Sequence, residues 1–112
     1  MATTNKALAA GVQVPATATV IYTAPPNTTT IIKKVTVTNT TAAAVAITLY
    51  VVTAAGTPSA ANTVTSAKPV AAGQVYEAYE VENHVLNAGD MLQALAGTAA
   101  ALSLKAAGIE IV

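Results

Sequence analysis

Residues 28–53 read TTTIIKKVTVTNTTAAAVAITLYVVT, and their alternation decides the fold class. Ile31, Val35 and Val37 share one parity, while Ile32, Lys34, Thr36 and Thr38 share the other. On the return, Val45, Ile47, Leu49 and Val51 alternate with Thr48 and Tyr50. A period of two in β-branched residues marks a half-buried strand. Threonine suits such a strand, because its branched carbon fits the pleat and its hydroxyl tolerates water. The stretch predicts two long strands joined as a hairpin by a polar turn at Asn39-Thr40-Thr41, with both apolar faces turned to one core. Lys33 sits on the apolar parity. It has two readings: a strand-end lysine that snorkels to solvent, or a charge paired across a subunit contact.

Working outward, shorter strands are expected on either side. Ala16–Thr23 is one, with Val20 and Tyr22 on one face, stopped by Pro25-Pro26-Asn27. After a loop at Ala54–Ala61, Asn62–Val70 is another, and Pro69 places it at a sheet edge or ends it. Gln74–Glu82 alternates and is read as a strand, as are Met91–Ala96 and Ala100–Val112. In the last of these, Leu102 and Leu104 are even while Ile109 and Ile111 are odd. A bulge or bend near Ala106-Ala107-Gly108 is expected to absorb that change. Residues 1–15 are small, polar and aperiodic, and read as an extended N-terminal arm. The expectation is an all-β protein: residues 16–112 form an antiparallel β-sandwich (jelly-roll-like, or else a small barrel) of six to eight strands.

Composition bounds the function. The chain has 112 residues, enough for one domain and one modest core. Charged residues make up 9% against a usual ~25%, so much of the surface must be Ala, Thr, Val and Ser. Such a surface favours association, and a homo-oligomer is expected. Five lysines, no arginine and zero net charge offer no basic stripe, so no nucleic-acid partner is expected. No apolar run approaches the ~20 residues of a membrane span, so no membrane partner is expected. Absence of cysteine removes disulfides and thiolate metal sites.

Candidate chemistry is sparse. His84, the only histidine, has no nucleophile signature around it and reads as structural or surface. Glu77, Glu80, Glu82 and Asp90 are the one acidic concentration, but strand alternation would separate Glu77 from Glu80 and Glu82, and the spacing is not that of a metal loop. No catalytic, cofactor-binding or metal-ligating residue is assigned, and an enzyme is not expected. A carbohydrate- or receptor-binding module would need an exposed cluster among Tyr22, Tyr50, Tyr76 and Tyr79.

One order of motifs suggests a family. It runs Ile21-Tyr22-Thr23-Ala24-Pro25, Thr30-Ile31-Ile32, Val35-Thr36-Val37-Thr38-Asn39-Thr40, Ile47-Thr48-Leu49-Tyr50-Val51-Val52, Val85-Leu86-Asn87-Ala88-Gly89-Asp90 and Ala107-Gly108-Ile109-Glu110-Ile111. This resembles small β-rich virion structural proteins of tailed bacteriophages, of decoration (cement), collar or tail accessory type. The resemblance implies a non-enzymatic scaffold in the virion, most simply a capsid decoration protein. Its partners would be copies of itself, as a trimer, and the major capsid protein or another virion protein. Neck, collar or tail attachment is the alternative. The resemblance carries no site residues.

Overall fold

The two long strands of residues 28–53 form, but in different sheets. A computed structural model describes residues 2–112. Nine strands follow in order: β1 (Thr3–Gln13), β2 (Thr19–Thr23), β3 (Thr29–Asn39), β4 (Val45–Val52), β5 (Thr63–Val70), β6 (Val75–Glu77), β7 (Val85–Leu86), β8 (Met91–Ala96) and β9 (Leu102–Ile111). One sheet has the order β1-β9-β3-β6, with β7 also paired to β3; the other has the order β2-β8-β4-β5. Every strand pair is antiparallel. The two sheets share no strand, so the fold is a β-sandwich and not a closed barrel.

Asn39 explains why the expected hairpin is an arch between sheets. Its side chain is buried at the end of β3. The amide nitrogen donates to the carbonyls of Ala43 and Val70, both at 2.8 Å. Its oxygen accepts from the Thr41 N–H at 2.9 Å and the Thr41 hydroxyl at 2.7 Å. This Asx turn aims the chain across the sandwich instead of back along the same sheet. Val35 and Val37 then face Val45, Ile47 and Leu49 across the core, with Leu92, Leu102 and Leu104 filling the space between. Val51 is only partly buried, and Val52 is fully buried.

Lys33 is an extra residue. Along β3 the buried positions are Thr30 and Ile32, then Val35, Val37 and Asn39. The parity changes because the register with β9 shifts between Ile32 and Lys34. Both lysines are exposed, and Lys33 Nζ donates to Asn83 Oδ1 at 3.0 Å. The bulge expected within β9 is therefore in its neighbours. β9 keeps its even residues inward from Leu102 to Gly108, while β3 and β1 bulge on either side of it.

Two further expectations change. Residues 3–13 are extended, but they are a strand paired to β9 of the same chain, with Leu8 and Ala9 in the core; Met1 lies outside the described residues. Residues 16–112 hold eight strands, β2 to β9, within the six to eight expected, and β1 is a ninth outside that span. Only Val75–Glu77 of the segment 74–82 is strand, because a 3-10 turn at Tyr79–Val81 follows and buries Val81. Pro69 does lie on an edge strand, β5.

Candidate interaction surface

The outer face of the five-stranded sheet carries the most distinctive surface. Residues of β9 that point away from the core are Ser103, Lys105, Ala107, Ile109 and Ile111. The registers place Ala7 and Lys34 beside Ala107, and Asn5, Ile31 and Val85 in one row with Ile109. A shallow groove of about 370 Å³ is lined by Ala7, Ala107, Lys34, Thr36 and Lys105 among others. A second depression follows beside Asn5, Lys33, Gly108 and Ile109. Four of the five lysines line these two depressions: Lys6, Lys33, Lys34 and Lys105.

Two of these four lysines are answered by a carboxylate. Lys34 lies 3.8 Å from Glu77, and Lys6 lies 3.3 Å from Glu110. The result is a face of small side chains with part of its charge compensated, suited to packing against protein. Such exposed pairs add little to stability.

The face ends at an open edge. Ala2 and Val112 exchange both backbone hydrogen bonds, at 3.1 and 2.8 Å. In an antiparallel ladder such pairs alternate, so Thr4 and Lys6 also bond to β9. The N–H and C=O groups of Thr3, Asn5 and Ala7 therefore point outward, and all five residues from Thr3 to Ala7 are exposed. Nothing in the sequence marked this edge, because five exposed side chains leave no alternation to detect.

The other three edges are blunted. β5 carries Ala67 at φ 43°, then Lys68 and Pro69. β2 has five residues with a register shift, and β6 has three. Bulges, lysine, proline and short length are the usual protections of an edge.

The candidate residues from the sequence are dispersed. Tyr22 is buried, so the four tyrosines form no single exposed cluster. Its hydroxyl donates to Glu110 Oε2 at 2.5 Å and accepts from the Thr30 hydroxyl at 2.8 Å. Burial, then the bond to Glu110, pushes the phenol up to about 12. The Tyr22 hydrogen bond holds Glu110 below its ordinary value, with Lys6 assisting. Tyr76 donates to Glu80, which also accepts from Thr65 at 2.8 Å, and Lys68 lies 5.6 Å from the Tyr76 ring centre. Burial and Glu80 push Tyr76 up to about 12. Burial pushes the Glu80 carboxyl up, but the bonds from Tyr76, its own backbone and Thr65 outweigh this and leave it low. Tyr79 alone is largely exposed.

The turn at 79–81 brings Glu82 back beside Glu77, which the alternation had separated. Proton-sharing with Glu77, then burial and its charge, hold Glu82 above the ordinary carboxylate range. Asp90 is structural: it accepts from the N–H groups of Ala54 and Asn87. His84 uses its carbonyl to accept from Ile32 N–H. Among the described residues, no three acidic, histidine or cysteine side chains converge as metal ligands. No protein-family model, curated protein or solved structure matches this chain.

Proposed function

We propose that this protein is a structural component of a bacteriophage virion, acting by surface burial rather than chemistry. Its role is that of a capsid decoration protein, which binds across neighbouring head subunits and to copies of itself. The observation that carries the assembly reading is the outer face of the five-stranded sheet, made of small Ala and Thr side chains and Ile, with Lys34 paired to Glu77, running out to the open edge β1. A face of small side chains lets a neighbour pack closely, while long lysine side chains keep their charge in solvent at the rim. The virion assignment is supported by the order of strand and turn motifs, above all Val35–Thr40, Ile47–Val52 and Val85–Asp90.

The test is to locate the chain in purified particles. Mass spectrometry of virions, followed by a cryo-EM map, should find many copies in a regular array on the head. Density at the neck or tail would move the role to an attachment protein. Absence of the chain from particles would overturn the virion assignment.

A further inference from the structure

We infer that the open edge of β1 is a self-association site, at which a second copy of the chain adds its own β1 antiparallel about a twofold axis through Asn5. This rests on the assembly reading above and names the partner at that surface.

The outer edge of β1 carries unsatisfied backbone groups. Thr3, Asn5 and Ala7 aim their N–H and C=O groups away from β9. Among the described residues no side chain or backbone group answers them. Register with β9 is unbroken from Thr3 to Ala7 and shifts only after Ala7. A regular five-residue run with free ladder groups at Thr3, Asn5 and Ala7 is a template for another strand.

The sequence of that run is self-complementary. With Asn5 opposite the partner's Asn5, Thr3 faces the partner's Ala7 and Thr4 faces the partner's Lys6. All three outward-bonding residues are then used, as three pairs of two hydrogen bonds each. Sliding by two residues strands one of the three. Thr3, Asn5 and Ala7 are neutral, so no like charges meet on the groove side. Lys6, on the other side, faces threonine and is already held by Glu110 at 3.3 Å. The two Asn5 amides, directly opposite, can pair with one another.

The product is one continuous sheet, five strands from each copy. It joins the two outer faces into a single surface. A twofold edge contact is isologous, so it closes as a dimer. An edge alone is small against the area of a standard stable interface, so the dimer is concentration-dependent.

Asn5→Pro is the direct test. Its missing N–H points outward, so the variant should fold and melt like wild type, because proline is tolerated where an edge N–H faces solvent. Sedimentation should show the wild type self-associating and this variant remaining monomeric. Two measurements stand if the variant misfolds. Amide exchange in the wild type should find Thr4 and Lys6 protected at every concentration. Thr3, Asn5 and Ala7 should slow by roughly tenfold or more only as dimer forms. Asn5→Cys, in a chain with no other cysteine, should oxidise to a covalent dimer, since directly opposed residues lie within disulfide reach. A wild type that self-associates while Asn5→Pro also does, with no alternate-residue protection, overturns the edge and spares the assembly reading. A wild type that stays monomeric at every concentration overturns the self-association site, while binding to head subunits stands or falls by the particle test.

Discussion

Gly108 shows how one residue constrains three strands. It sits in β9 between β1 and β3, where both neighbours bulge. A Cβ there would lie 2.5 Å from the Ile31 carbonyl oxygen and 2.8 Å from Leu8 Cδ1. The obstacle is backbone, which does not step aside as a side chain would. Gly108→Ala should cost about 1–3 kcal/mol in a denaturant titration, and a neutral result would mean that the bulges relax freely. Asn39 is as constrained, through hydrogen bonds. Asn39→Ala leaves the carbonyls of Ala43 and Val70 without their donors, for about 1–3 kcal/mol. Asn39→Asp should be worse, because it turns a carboxylate oxygen toward those carbonyls; equal melting of the two variants would refute the amide's role. Val37 is fully buried, and Val37→Asp should be the most damaging of the set, since an unpaired charge would have to stay neutral or open the core.

At the scale of elements, the sequence was legible wherever a side chain alternates between core and solvent. β2, β3, β4, β8 and β9 lie close to where their patterns put them. Alternation does not say which sheet a strand joins. A hairpin and an arch both turn Val35, Val37, Ile47 and Leu49 to one core, so β3 and β4 were equally consistent with either. The decision lies in Asn39, a residue whose buried amide is invisible to a hydropathy pattern. The same limit hid β1, whose Thr3–Ala7 half is exposed on both faces. Its role in folding is nonetheless concrete. Leu8, Ala9 and the following Val14 are in the core, and β1 covers one side of β9. Removing residues 2–13 should therefore lower the melting temperature markedly, as well as abolish self-association. A truncated protein that melts like the full chain would return residues 1–15 to the status of a detachable arm.

Across the whole molecule, two tyrosine–carboxylate pairs strap the sheets together, and this fixes how stability should depend on pH. Tyr22 of β2 reaches Glu110 and Thr30 in the opposite sheet. Tyr76 of β6 bonds Glu80, which in turn takes the Thr65 hydroxyl from β5 across the sandwich. On the acid side Glu110 and Glu80 are held low, so their contribution is present above the ordinary carboxylate value and is lost as pH falls through the folded value. Glu82 is held high by Glu77 and acts with the opposite sign, since the fold favours its protonated form. On the acid side Glu82 therefore offsets part of what Glu110 and Glu80 contribute. The alkaline limb has no such cancellation between the straps. Both phenols are raised from 10 to about 12, so their contribution is complete below pH 10 and is lost as pH rises toward 12. Denaturant unfolding of wild type and of Tyr22→Phe/Tyr76→Phe between pH 8 and 12 isolates it. The gap between them should be constant up to pH 10 and narrow above it, with phenolate absorbance of the folded wild type appearing late in the same window. Parallel curves up to pH 12 would mean that the straps contribute packing alone, and that the two sheets are held by their apolar faces.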